Sequence, residues 1–259
     1  MNSAYITGCA GFLGAAVTRK LHEAGWEVSG CDSLVTGDKS RLDGIEGEWD
    51  WRALASTGPH SDVDVVVHTA AIARSMWPDE NDIWRNNVDG TRHVLSWGIR
   101  TVHASSSMVA WPDVNVYCKS KEVAEWFVRR AGGTSLRFGN IWGDGQSDWG
   151  AAPNVIAAFR QQIREHGKVF VEGTGRQSRD FVHVDDAADA MVTAVLQPRA
   201  ATADICTGVQ TSIISIAEQF GVPIERVDGR DNDPVMVIQS PAKALALWGW
   251  TAKRRGVVL

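Results

Sequence analysis

Two side chains able to handle protons stand four residues apart in the segment Tyr117-Cys-Lys-Ser-Lys121. On a helix that spacing brings the phenol and the ammonium to one face. A nearby cation, or the positive ring of an oxidised nicotinamide, favours the phenolate. Bringing a tyrosine from about 10 towards 7 takes about 4 kcal/mol. One lysine and one cofactor charge in a partly dry site can supply that. On a solvated helix the same pair would do nothing, so its meaning depends on what the fold puts beside it.

The other chemically suggestive stretch is TGCAGFLG at residues 7–14, with Gly8, Gly11 and Gly14 spaced three apart around Phe12 and Leu13. Gly8 permits a tight turn, Gly11 a close approach of backbone to a pyrophosphate, and Gly14 close helix–strand packing. The free N–H groups and positive end of the following helix suit phosphates. Asp32 ends the next apolar strand, where a carboxylate can bind both hydroxyls of an adenosine ribose. It would repel a 2′-phosphate, and no arginine follows it until Arg41. NAD is therefore expected over NADP.

These segments sit in an alternation of strand and helix. Ala4–Thr7, Glu27–Cys31, Val63–His68, Thr101–Ser105 and Ser135–Phe138 read as strands, and the VDVVVH run has the β-branched character of a strand buried on both faces. Helices are expected over Ala15–Ala24, Asn87–Trp97, Lys119–Arg130 and Val155–His166. Repeated β-α-β order implies an α/β fold of Rossmann type, a doubly wound parallel sheet with right-handed crossovers. After Gly139 the rhythm loosens, and a small C-terminal α/β cap is expected. The NAD-binding domain would take residues 1–139 with 179–209 returning to it, and the substrate-binding cap 140–178 and 210–259.

At 259 residues and 44% apolar content the chain can bury a large core without disulfides or a structural metal. The net charge is −5 with no basic run, which argues against nucleic acid as a partner. Cys9, Cys31, Cys118 and Cys206 lie far apart and form no metal-binding spacing, so free thiols in a reducing compartment are expected and no metal. No apolar stretch is long enough to span a membrane. The N-terminus runs directly into the glycine loop, so no signal peptide is expected and a cytoplasmic location is. There are 12 Trp but only 2 Tyr, at positions 5 and 117, which leaves tyrosine chemistry few candidates.

The motifs TGCAGFLG, DSLVTG (32–37), VVHTAA (66–71), NNVDGT (86–91), SSSMVA (105–110), YCKSK (117–121), LRFGNIWG (136–143), RDFVHVDD (179–186) and LWGW (247–250) follow one another in a recognisable order. The chain resembles, over nearly its whole length, the extended short-chain dehydrogenase/reductases, the NAD-dependent epimerases and dehydratases of nucleotide sugars. The branch it looks most like interconverts UDP-glucose and UDP-galactose through a 4-keto sugar.

That resemblance implies specific roles. Tyr117 would be the base on the C4 hydroxyl, Lys121 would lower its pKa and bind the nicotinamide ribose, and Ser106 would share the hydrogen bond, with Ser107 close behind. Ser33 would stand beside Asp32 at the ribose, and Glu48 and Trp49 would flank the adenine. Ala70 and Ala71 would line the cofactor, Asn87 would hold the loop beside them, and Phe138 would sit near the nicotinamide. Asn140 would contact the nucleotide sugar, and Arg179, Arg230 and Asp233 would hold its phosphates and ribose. His68 and His183 would pack or cap. Relatives commonly pair two helices per subunit into a homodimer, here the Lys119–Arg130 helix with Val123, Trp126, Phe127 and Arg130, and the earlier one with Val94 and Trp97.

Departures narrow the reading. Sugar 4,6-dehydratases carry Thr-Asp-Glu where this chain has Ser106-Ser107-Met108, so dehydration is disfavoured, and the missing Glu also weakens a decarboxylase reading. The tyrosine that relatives carry after the serine run is replaced by Ala110. Another NAD-dependent epimerase, dehydratase or reductase of the family stays open, as does a non-catalytic NAD sensor on the same fold. The short stretch from Ser106 to Tyr117 implies a more open site than in longer relatives.

Overall fold

The computed structural model describes residues 2–59, 62–73, 77–146, 154–229, 236–237 and 239–259. The chain opens with β1 (Ser3–Thr7), α1 (Phe12–Glu23), β2 (Glu27–Cys31), β3 (Glu48–Asp50) and β4 (Val65–His68). Helices α2 (Glu80–Trp84) and α3 (Gly90–Ser96) follow, joined by a wider π-type turn over Arg85–Asp89. Then come β5 (Thr101–Ser106), α4 (Val116–Arg130), β6 (Thr134–Phe138), β7 (Asn140–Trp142), α5 (Val155–His166), β8 (Val169–Glu172) and β9 (Ser178–His183). The chain closes with α6 (Val184–Leu196), β10 (Thr202–Ile205), β11 (Gln210–Ser212), α7 (Ile213–Gln219), β12 (Ile224–Val227) and α8 (Ala242–Trp248).

Seven parallel strands form the main sheet in the order β10-β6-β5-β4-β1-β2-β3. The strand order reverses between β1 and β4, and in such sheets the ligand crevice lies outside the carboxyl ends of the strands at that point. The β-branched run expected to be buried on both faces is so: Val65, Val66 and Val67 of β4 are 0% exposed. Each contributes about 1.5–3 kcal/mol by leaving water. On one face α1 and α6 pack together, and α6 can come close because its inner side is Ala187, Ala188, Ala190 and Ala194. Lys20 of α1 meets Asp189 of α6 at 2.8 Å. The α2–α4 group covers the opposite face, with Tyr5, Cys31, Val66 and Val94 as its core.

A second core lies beyond the main sheet. A three-stranded sheet β11-β9-β7 and a two-stranded sheet β12-β8 combine with α5 and α7 around Phe159, Val169, Val171, Phe181 and Ile216. The segment 210–259 is divided between the two cores: Ala244, Trp248 and Trp250 join the main one. The indole N–H groups explain why, since Trp248 donates to the Gln197 carbonyl at 3.0 Å and Trp250 to the Asp186 carbonyl at 3.2 Å.

Three helix starts differ from expectation, each for a local reason. Helix α1 begins at Phe12 rather than Ala15, directly after Gly11, which stands at its N-cap. Helix α4 begins at Val116, because the Asn115 side chain accepts the Cys118 N–H at 3.0 Å and caps it. Tyr117 therefore lies in the first helical turn. The segment expected to start at Asn87 is helical from Glu80, where Asp79 provides the cap. No helix among the described residues is long and apolar enough to cross a membrane.

Candidate active site

The glycine loop is built by contacts that exclude side chains. Gly8 has φ +72, and a Cβ there would lie 2.7 Å from the Ala70 nitrogen. A Cβ on Gly14 would fall 2.0 Å from the Gly8 carbonyl oxygen. The loop after β1 thus rests against the loop after β4 at Thr69 and Ala70, with Ala71 next in the chain, across the switch point. Gly11 caps α1 without a side-chain hydrogen bond, and the first turn, Phe12, Leu13 and Gly14, holds no acidic residue. An uncapped helix end with its backbone stripped of Cβ atoms fits a pyrophosphate.

Asp32 is 8% exposed, and its carboxylate accepts the Leu34 N–H at 2.8 Å and the Ala10 N–H at 3.1 Å. Burial pushes its pKa up, while those N–H groups and Arg41 pull against it. Arg41, distant in sequence, is folded back beside the carboxylate. Its guanidinium donates to the Ala10 carbonyl at 2.9 Å and the Gly145 carbonyl at 3.1 Å. Ser33 is exposed next to Asp32. Glu48 and Trp49, expected beside the adenine, lie on β3. Register pairs Glu48 with Ser29 and Asp50 with Cys31, so Glu48 lies about 7 Å back from the strand end. The residues at that end are Asp50 and Trp51, and the Asp50 carbonyl accepts the Asp32 N–H at 3.0 Å.

Behind the crevice runs a buried hydrogen-bond chain of one polarity. The Ala70 N–H donates to Thr7 Oγ1 at 3.3 Å, which donates to His68 Nδ1 at 2.7 Å. His68 Nε2 then donates to Thr91 Oγ1 at 2.9 Å, and Thr91 to the Asn87 carbonyl at 2.6 Å. That direction assigns the Nε2–H tautomer. Burial holds the His68 pKa down at about 3, so the ring is neutral. Asn87 clamps Ile72 by accepting its N–H at 2.8 Å and donating to its carbonyl at 3.1 Å. It also donates to Ser120 Oγ at 2.9 Å, and Ser120 to the Tyr117 carbonyl at 2.8 Å. The loop after β4 and the start of α4 are thereby tied together.

Tyr117, Ser106 and Lys121 converge at the ends of β5 and α4. The Ser106 side chain lies near enough to the Tyr117 phenol to favour its ionised form, and Ser106 Oγ also accepts the Met108 N–H at 3.2 Å. Lys121 is 5% exposed, and its Nζ donates to the Ala104 carbonyl at 2.8 Å. Burial lowers the Lys121 pKa to about 8, against the pull of Glu125. Tyr117 does not follow the sequence argument. Burial raises its pKa above 10, and the opposing effect comes from Ser106 rather than from Lys121. Any net lowering has to come from charge brought in with a ligand. Among the three serines the fold separates roles: Ser106 faces Tyr117, Ser105 bonds to Glu125, and Ser107 is 8% exposed in the short 3₁₀ turn Ser107–Ala110.

Phe138 is 4% exposed and pairs in register with Ser106. Asn140 opens β7 beside Phe181 of β9. Arg179 on β9 is 9% exposed and donates to the Ser178 carbonyl at 2.8 Å. Arg230 and Asp233 lie outside the described residues. His183 caps α6 by accepting the Asp185 N–H at 3.2 Å. Val94 is 0% exposed and Trp97 packs edge-on against Tyr5, so both belong to the core rather than to an outer face. The four cysteines are buried, and no group of metal-binding side chains is found among the described residues.

Residues 4–206 match the model of the NAD dependent epimerase/dehydratase family. A provisionally named UDP-glucose 4-epimerase of Methanocaldococcus jannaschii is 30% identical over 80% of this chain and 78% of its own length. Among solved structures, the UDP-glucose 4-epimerase of Thermotoga maritima with UDP-glucose superposes with TM-score 0.85 at 23% identity, covering 97% of this chain and 94% of that one. The protein MoeE5, in complex with UDP-glucose and NAD, gives TM-score 0.83 at 25% identity over 99% and 95% of the two chains. With a matching family model over most of its length and the glycine loop, Asp32 and the Tyr117–Lys121 helix around one crevice, the chain belongs to the NAD-dependent epimerase/dehydratase family.

Proposed function

We propose that this chain catalyses the reversible 4-epimerisation of a UDP-hexose, interconverting UDP-glucose and UDP-galactose, with NAD held between the loops after β1 and β4. The observation that carries the reading is the buried Lys121 Nζ–Ala104 carbonyl bond, which sets Lys121 at the end of β5 where Ser106 acts on the Tyr117 phenol, next to the glycine loop. Bound NAD supplies a reversible hydride acceptor to C4 of the sugar.

Tyr117 takes the proton of the C4 hydroxyl through a hydrogen bond that Ser106 shares. Lys121 holds positive charge beneath the site and reaches the nicotinamide ribose, and Phe138 closes the space beside Ser106. Asp32 receives the adenosine ribose hydroxyls on the lone pairs left free by Leu34 and Ala10. Asp50 and Trp51 flank the adenine. The 4-keto sugar turns over while its nucleotide stays fixed, a task for Asn140, Arg179, Arg230 and Asp233, and Tyr117 returns the proton on the other face. Ser106-Ser107-Met108 offers no carboxylate for elimination, which favours epimerisation over dehydration.

Trp126 and Trp84 are 45% and 38% exposed on the outer side of the α2–α4 group, and a homodimer through that face extends the proposal. Light scattering giving twice the chain mass supports it, and the chain mass alone refutes it.

The deciding experiment incubates the purified protein with UDP-glucose, without added NAD, and follows UDP-galactose. Interconversion is the expected result. Cofactor bound with no turnover of any nucleotide sugar would mark a sensor instead, and turnover of a UDP-N-acetylhexosamine or UDP-uronate alone would reassign the sugar.

A further inference from the structure

Glu125 stands one helical turn beyond Lys121 on α4 and is 7% exposed. Its carboxylate accepts the Ser105 hydroxyl at 2.8 Å and a forked pair of donors from Arg137, Nε at 2.9 Å and Nη2 at 2.5 Å. Ser105 immediately precedes Ser106, and Arg137 immediately precedes Phe138. Ser105 and Arg137 also face each other in the β5–β6 register. One carboxylate therefore ties α4 to the two strand ends that bear the proposed site, and the Lys121–Ala104 bond makes a second tie one turn earlier.

We infer that Glu125 is a positioning residue: it fixes the strand end bearing Ser106 against the helix bearing Tyr117 and keeps the neighbouring Lys121 in its charged form. This rests on the roles proposed above for those three residues.

The surroundings of Lys121 leave this task to Glu125. His68 from β4 and His103 from β5 both act on Lys121's environment, but the two rings are stacked at 5.4 Å and burial keeps both neutral. From α4 itself the charged group acting on Lys121 is Glu125, which opposes the cost of burying the ammonium. Arg137 attenuates that charge without removing it, because its side chain is 36% exposed while that of Glu125 is 9%. A buried carboxylate with three donors is a fixed charge as well as a clamp. It also borders a surface cavity of about 360 Å³ lined by Val109, Val123, Trp126 and Arg129, so water can reach a substituted side chain.

The test titrates Lys121 directly by NMR of protein labelled at the lysine Cε, with NAD content matched between variants. The Lys121 signal is the one lost in Lys121→Arg. Glu125→Gln should lower the Lys121 midpoint by about one pH unit. Arg137→Gln should raise it, since the carboxylate then acts unattenuated. A loosened helix would expose Lys121 and move both variants upward, so the opposite signs separate charge from general damage. Should Glu125→Gln not fold, Glu125→Gln with Arg137→Gln removes the pair without stranding a charge, and a smaller fall is expected. An unchanged or raised midpoint when Glu125 is replaced overturns the inference. No substrate is needed, so a negative epimerase assay leaves the result readable; where turnover is measurable, its alkaline limb should shift with Lys121.

Discussion

The two halves of the crevice are made from different materials. The glycine loop is a backbone construction, in which Gly8 and Gly14 leave no room for a Cβ and the end of α1 carries no side-chain cap. The α4 side is a side-chain construction: Lys121, Glu125, Ser105 and Ser106 are all under a tenth exposed, and each is held by hydrogen bonds or charge. Steric exclusion fails when atoms are added. An electrostatic site fails when a proton or a charge is removed, with the shape intact. Binding and chemistry should therefore be separable by mutation.

The sharpest break is expected on the α4 side. Tyr117→Phe removes the proposed base and little volume, and should cut turnover by about a thousandfold while NAD affinity and melting temperature stay put. Measured turnover within tenfold of wild type would reassign the base.

Gly14→Ala tests the opposite half. Its Cβ would stand 2.0 Å from the Gly8 oxygen and 2.7 Å from Thr69 Oγ1, so the α1–β1 contact has to open. A loss of about 3 kcal/mol in stability together with loss of NAD binding is expected from denaturant titration and calorimetry. Stable protein with normal affinity would show that the loop is not sterically set.

Next in size is a pH effect confined to the electrostatic half. Lys121 has its pKa lowered from 10.5 to about 8 in the folded chain. Between those values the unfolded chain holds the proton that the folded one has released, so stability rises with pH there. Relative to Lys121→Met, wild type should gain about 3 kcal/mol from pH 8 to 10.5. A flat difference would mean that the ammonium is better solvated than its burial implies.

The smallest effect is expected at the seam between the halves. Asp32→Asn keeps the Leu34 and Ala10 contacts possible but weakens the receptor for the ribose hydroxyls. NAD affinity should fall about tenfold, the worth of one charge-assisted hydrogen bond, and discrimination against NADP should narrow as Arg41 loses its opposing charge. Unchanged selectivity would place the choice of cofactor elsewhere.

The sequence by itself determined whatever depends on short-range geometry. Gly8, Gly11 and Gly14 spell out a turn and a helix start, and Tyr117 and Lys121 share a face because a helix repeats every 3.6 residues. The apolar run at β4 reads as a buried parallel strand for a similar reason. The α4 start also has a local signal, because Asn115 is a favoured N-cap residue directly before Val116. What only the tertiary structure decided are relations across strands. Which serine meets Tyr117 depends on how β5 sits against α4, and which β3 residue stands beside the end of β2 depends on the β2–β3 register. The return of Arg41 to Asp32, the relay through His68 and the clamp at Glu125 join residues far apart in the chain. A side chain's neighbours within a turn follow from local periodicity. Its partners across a sheet, and the pKa that burial there imposes, exist only once the chain has closed on itself.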